Sequence, residues 1–310
     1  MINCYSNVFG IPTPGCDLKT ACWVHLTAPS EAELRQVSGE LDIPADFLTD
    51  PLDVDERARI ELDDDCLLIV LHTPVRAQAD DAVPFFTVPL GIVLKNGRLV
   101  TVSVQSIDIM ELFLAGKVKN FAPDQHARFV LQIFLQTAIL FLKYLKDINR
   151  KTNSYEKELH RAMKNEELIH LVNLEKSLVF FTSAIKANEI IMARIQRADI
   201  IKLGEQDLEL LEDAITENLQ AIYMTKVYSN ILSGMMDAFA SIISNNLNVV
   251  MKFLTTVTIV LMIPNLVFSF FGMNVKLPFQ EQEWGVVATL IMALLATVVG
   301  VLIVLRRRLF

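Results

Sequence analysis

The sequence predicts an α+β membrane protein: an N-terminal cytoplasmic α/β domain, a long helical stalk and two C-terminal transmembrane helices. Three observations carry this reading. Residues 253–271 and 285–305 contain no charged side chain, and each run is close to the roughly 20 residues that cross a bilayer core as a helix. The first 120 residues hold strand-like apolar runs and a hairpin signal. From residue 124 onward the pattern turns helical, with Pro264 the one proline between residues 206 and 271.

Bulk properties agree. Apolar residues make up 52% of the 310 positions, which is high for a soluble chain. The net charge of -8 argues against nucleic acid, whose phosphates call for a basic face, and suits a protein that meets cations. Cys4, Cys16, Cys22 and Cys66 form no C-x-x-C pair. They read as buried or spare cytosolic thiols rather than a zinc knuckle or a disulfide framework. Residues 1–10 lack a basic stretch followed by an apolar run, so no cleavable signal peptide is expected and the first domain is expected in the cytoplasm.

Domain 1–120 is expected to mix strands and helices. Residues 21–26 are β-rich, and Ser30 with Glu33 three residues later has the form of a capping box. Asp63, Asp64 and Asp65 read as a turn. Residues 66–72 form a continuous apolar run, as a buried strand does, with His72 as a satisfied core residue. Residues 85–94 and 98–104 flank Asn96-Gly97, a hairpin turn signal. Residues 121–249 are assigned to the stalk. There Glu156, Glu158, Glu166, Glu167 and Glu175 mix with Lys151, Lys157, Lys164 and Lys176, the solvated face of long helices. Residues 206–271 read as one helix running from stalk into membrane, about 100 Å long at 1.5 Å per residue, and a helix of that length needs partners, most simply copies of itself. The first span is set at 250–271, the outer loop at 272–284, the second span at 285–305 and a basic tail at 306–310. Lys252 and Arg306, Arg307 and Arg308 place both termini on the cytoplasmic side, with Trp284 as an interfacial anchor.

One face of the long helix carries chemistry. Steps of four and three residues give Asp237, Ser241, Ser244, Asn248, Met251, Thr255, Thr258, Met262 and Asn265, which heptad spacing places on one side. Polar groups in a membrane helix line either a protein interior or a water-filled path. Hydroxyls and carboxamides suit the water shell of a hydrated cation, and Mg²⁺ gives up its waters reluctantly. They equally suit helix–helix packing. Met251, Leu254 and Met262 are bulky groups on or beside the stripe, suited to a hydrophobic constriction or to ordinary packing.

At the outer end of the first span stands Phe271-Gly272-Met273-Asn274, followed by a short acidic loop, a second span and a basic tail. In that setting Gly272-Met273-Asn274 resembles the signature of the CorA family of Mg²⁺ channels. Tyr228-Ser229-Asn230, Met236-Asp237, Ser244-Asn245 and residues 248–252 resemble the family's approach to the pore. Trp23-Val24-His25-Leu26, and Phe47-Leu48 through Asp50 to Arg57, resemble its N-terminal domain. The resemblance implies a funnel-shaped homopentamer in the cell's inner membrane. It implies a selectivity filter of Gly272, Met273 and Asn274, with Gly272 allowing a tight backbone bend. Asp237, Ser244, Asn248, Met251, Leu254, Thr255, Thr258, Met262 and Asn265 are then pore-lining. Asp50 and Asp213 then hold a regulatory Mg²⁺ between neighbouring subunits. Two departures stand out: the family's Met-Pro-x-Thr is replaced by Met262-Ile263-Pro264-Asn265, and its Met-Pro-Glu-Leu loop by residues 276–279, with the acids delayed to Glu281 and Glu283.

The expected activity is passive, potential-driven Mg²⁺ influx that cytoplasmic Mg²⁺ shuts off, with Co²⁺ or Ni²⁺ as further permeant ions. The alternatives are a Zn²⁺, Co²⁺ or Ni²⁺ transporter of the same superfamily and a non-conducting membrane-tethered sensor of divalent cations. No phosphate-binding G-x-x-x-x-G-K-[ST] loop occurs, and His25, His72, His126, His160 and His170 are scattered without a metal or nucleophile pattern, so an enzyme is not expected.

Overall fold

A computed structural model describes residues 1–8, 11–15, 17–78, 81–162, 165–198, 200–273 and 284–306. The chain divides into two compact units, Met1–Gly234 and Met235–Phe310.

The first unit is built on a seven-stranded sheet. Its strands are β1 (Ile2–Val8), β2 (Ile11–Pro14), β3 (Trp23–Thr27), β4 (Arg59–Asp63), β5 (Cys66–Arg76), β6 (Phe85–Lys95) and β7 (Arg98–Ser103). They lie in the order β2-β1-β3-β7-β6-β5-β4, and β3 pairs with β7 in parallel while the other neighbours are antiparallel. The expected hairpin joins β6 to β7. Asn96 (φ 49°) and Gly97 (φ 68°) are both left-handed, which a two-residue hairpin of this hand requires. Asp64 (φ 48°) sits likewise in the turn between β4 and β5, which Asp64 and Asp65 form while Asp63 closes β4.

The apolar run in β5 does not alternate because helices cover both faces of the sheet. On one face Leu68 and Val70, with Val24, Leu26, Val93, Val100 and Val102, meet α1 (Glu31–Leu41) and α2 (Ala45–Thr49) through Leu34, Val37, Leu41, Phe47 and Leu48. Helix α1 opens on the expected capping box, Ser30 with Glu33. On the other face Leu67, Ile69 and Leu71, with Trp23, Leu90, Ile92 and Leu99, meet α3 (Asp108–Leu114), α4 (His126–Ala162) and α5 (Asn165–Ala198). Phe113, Phe129 and Phe134 fill that side together with Ile191, Met192 and Ile195. The division after residue 120 expected from sequence therefore differs from the packing: α4 and α5 complete the core of the α/β unit, and the compact unit runs on to Gly234.

Helix α6 runs continuously over Glu205–Phe271 with Pro264 inside it, and α7 covers Gly285–Arg306. Among the described residues, four helices are long and apolar enough to cross a membrane. What separates them is covering: the apolar window of α4 is 72% buried and that of α5 44%, against 0% in α6 and 6% in α7. The last two are the runs that the sequence marks as spans.

Candidate cation path and regulatory carboxylates

In the second unit, α7 packs on one side of α6. Gly300 of α7 lies so close to Ile263 that an added Cβ would collide with that side chain. Over residues 251–271 of α6, the partly covered positions are Thr256, Val260, Ile263, Pro264, Val267 and Phe271. At 3.6 residues per turn these centre roughly 170° around the helix from the stripe of Met251, Thr255, Thr258, Met262 and Asn265. Every stripe residue, from Asp237, Ser241, Ser244 and Asn248 to Asn265, is exposed in the single chain, as is Leu254 beside it. The structure thus brings the pore-lining candidates onto one helix face that α7 leaves open.

The hydroxyls on that face are pre-arranged. Thr255 Oγ1 donates to the Met251 carbonyl and Thr258 Oγ1 to the Leu254 carbonyl, each at 2.8 Å. With their protons committed to the helix backbone, both oxygens present lone pairs outward. A hydrated cation presents hydrogens outward, so acceptor-only oxygens are the complementary surface. Met251 and Met262 (54% and 62% exposed) interrupt the polar groups with bulky apolar ones.

The helix ends at the motif. Gly272 N donates to Phe268 O at 2.9 Å and Met273 N to Phe270 O at 3.4 Å. The bend expected at Gly272 is not a left-handed one, since its φ is not positive. Glycine is favoured for a different reason: an added Cβ would stand 3.3 Å from the Phe268 carbonyl oxygen, a tight contact with backbone. Asn274, the acidic loop residues Glu281 and Glu283, and Arg307 and Arg308 lie outside the described residues.

In the first unit, Asp50 opens a single 3₁₀ turn, Asp50–Leu52, at the end of α2. Its carboxylate accepts from Arg59 Nη2 at 2.6 Å. Asp213 is exposed on α6 beside exposed Glu209 and Glu212 and half-buried Glu217. These are hard oxygen donors of the kind that divalent cations such as Mg²⁺ take. Among the described residues, no group of three or more His, Cys, Asp or Glu converges to hold a metal ion within one chain. Sequence reasoning missed Arg59, which grips Asp50, Glu56 and Glu61 together. The available signal was the alternation of Arg59 and Glu61 on one face of a strand.

His72 is tied into the fold as expected. Its Nε2 lies 2.8 Å from the Glu56 carbonyl, and its backbone exchanges hydrogen bonds with the Asn188 carboxamide at 2.9 and 2.8 Å. Burial lowers its pKa, which keeps it neutral.

Comparison with known proteins gives a consistent result. A family model described as CorA-like Mg²⁺ transporter protein matches residues 19–307. The cobalt/magnesium transport protein CorA of Methanocaldococcus jannaschii is 26% identical over 291 residues, which is 92% of this chain and 90% of that protein. The protein of the same name from Thermotoga maritima is 20% identical over 281 residues, 88% of this chain and 78% of its own length. The complete structure of CorA magnesium transporter from M. jannaschii matches with a TM-score of 0.83 at 23% identity, covering 99% of this chain and 98% of that one, a likeness of fold.

Proposed function

The chain belongs to the CorA-like Mg²⁺ transporter family, and from that premise we propose that it is a passive channel through which hydrated Mg²⁺ enters the cell. In this reading α6 from each of five copies lines a central pore, and α7 stands behind it toward lipid. The supporting observation is the polar face of α6, Asn248 to Asn265, which α7 leaves open and whose threonine oxygens point lone pairs outward. The membrane potential supplies the driving force, about 4.6 kcal/mol for a divalent ion per 100 mV. Met251, Leu254 and Met262 form the hydrophobic constriction, and Gly272, Met273 and Asn274 form the outer filter. Co²⁺ is a second permeant ion, in line with the relatives named cobalt/magnesium transport proteins.

Asp50 and Asp213 provide the carboxylates for a regulatory Mg²⁺ between neighbouring copies on the cytoplasmic side. Bound there, the ion supplies positive charge that draws those carboxylates together and holds the pore closed. Both termini are then cytoplasmic, consistent with the basic residues Lys252 and Arg306 that flank the spans.

The test is Mg²⁺ influx into proteoliposomes at an inside-negative potential, with Mg²⁺ absent on the side of the cytoplasmic unit. Native protein is expected to conduct. Asn274→Ala is expected to cut selective flux by roughly ten-fold or more, the scale of losing one or two net hydrogen bonds. Absence of native flux under these conditions would sink the channel reading.

A further inference from the structure

Arg59 opens β4, and its three guanidinium nitrogens each meet a different carboxylate. Nη2 pairs with Asp50 at 2.6 Å, Nε with Glu61 at 2.9 Å, and Nη1 with Glu56. One cation among three carboxylates leaves the cluster net negative. It is also only partly screened, with the Arg59 side chain 29% and the Asp50 side chain 34% exposed.

The three contacts are not equivalent. Glu56 and Glu61 lie within three residues of Arg59 in the chain, so they travel with it. Asp50 comes from a separate turn, and that turn is pinned. Pro51 is buried against Gly91 of β6, so close that a Cβ on Gly91 would overlap the proline ring. The Asp50 backbone is therefore fixed, and its side chain alone can turn toward or away from the guanidinium. When it turns away, Arg59 keeps Glu56 and Glu61 and is not left as a stranded charge, the costly outcome for a broken ion pair. Asp50 is thus the exchangeable partner of a guanidinium that the other two carboxylates hold in place.

We propose that Arg59 is a tethered competitor for the regulatory divalent cation: it occupies the Asp50 carboxylate when the cation is absent and so raises the concentration at which the cation binds. This rests on the reading of Asp50 as a cation ligand. The guanidinium and a hard cation claim the same carboxylate oxygens. The fork geometry matters as well, because the short, single-point ammonium of a lysine cannot span three carboxylates.

The experiment is Mg²⁺ binding to the full-length protein in detergent, measured by calorimetry, with thermal unfolding in the absence of Mg²⁺ as a check on folding. Arg59→Gln is expected to bind Mg²⁺ about five-fold more tightly, the scale of losing a partly exposed ion pair as competitor. Arg59→Lys is expected to fall between native and Arg59→Gln, and it decides the matter if Arg59→Gln does not fold. Unchanged or weaker binding in the folded variant would overturn the proposal and leave Arg59 as a prop for the turn. Asp50→Asn separates this idea from its parent. If Asp50→Asn binds Mg²⁺ like the native protein, Asp50 is not a ligand and both readings fall. If Asp50→Asn weakens binding while the Arg59 variants do not tighten it, the competitor alone falls. If Asp50→Asn weakens binding and also abolishes the gain from Arg59→Gln, the two residues act on one site, as proposed.

Discussion

His25 is buried, 4% exposed, in a relay of hydrogen-bonded side chains. Trp23 Nε1 donates to Thr101 Oγ1 at 2.8 Å, His25 Nδ1 lies 2.8 Å from that same oxygen, and His25 Nε2 lies 2.9 Å from Thr27 Oγ1. Thr101 Oγ1 also lies 3.5 Å from the Val24 carbonyl, so its proton has two acceptors and either tautomer of the neutral ring is satisfied. Protonating both ring nitrogens places a positive charge in the core, where it is poorly solvated. Burial accordingly lowers the pKa of His25 to about 4. In the unfolded chain the group titrates near 6.5, so below that pH the unfolded state binds more protons than the folded one, and stability falls until the folded pKa is passed. The protein is expected to lose about 3 kcal/mol of stability from this residue between pH 6.5 and 4. Fluorescence of Trp23, whose ring centroid is 5.7 Å from that of His25, reports the unfolding midpoint against pH. His25→Gln is expected to lower the midpoint at neutral pH and to flatten the slope below pH 6.5; an unchanged slope would show that other groups, such as His72 and His126, dominate.

Among the elements, α6 and α7 meet at Gly300 and Ile263, where the absence of a side chain lets one helix lie close on the other, as small residues do between membrane helices. Gly300→Leu is expected to separate the pair and to cost roughly 1–3 kcal/mol, the usual range for overpacking, read as a lower thermal midpoint in detergent. Combining it with Ile263→Ala should recover part of the loss, because the colliding atom is the tip of the Ile263 side chain. How far such elements were legible depended on how local their cause was. The turn at Asn96-Gly97, the cap at Ser30 and the stripe on α6 are written in a few neighbouring residues or in one period, and the sequence reading found them. The burial of α4 and α5 was not legible. Their Glu and Lys mark a solvated face, while Phe129, Phe134 and Phe141 on α4 and Phe181 on α5 are fully buried, and the sheet face that makes them so comes from residues about thirty or more positions earlier. Arg59 was missed for the same reason: the turn holding Asp50 is placed by Pro51 and Gly91, which are distant in sequence.

For the whole molecule, the decisive fact is that a single chain leaves the polar face of its membrane helix unanswered. Asn265, inside the first span, finds no partner among the described residues, and α7 lies on the far side of α6. A carboxamide facing hydrocarbon without a partner is costly, so this face must meet either water or the same face of other copies packed dry. The two arrangements differ in what reaches the stripe. If it lines an aqueous path, single cysteines at Thr255, Thr258 and Asn265 will react with a charged, membrane-impermeant thiol reagent. Cysteines at Leu261 and Phe268, which are exposed on α6 but lie off both the stripe and the α7 contact, will not. The stripe positions are expected to react roughly a hundred-fold faster, because carrying a charge into hydrocarbon costs about 3 kcal/mol. The native thiols, Cys4, Cys16, Cys22 and Cys66, all fall in the first 66 residues, so their labelling in the unsubstituted protein supplies the background. Fast reaction with a three-and-four residue period would establish a wetted face independently of any flux. Uniformly slow reaction along α6 would mean that the hydroxyls and carboxamides join helices dry, and the cation path would have to be sought elsewhere in the assembly.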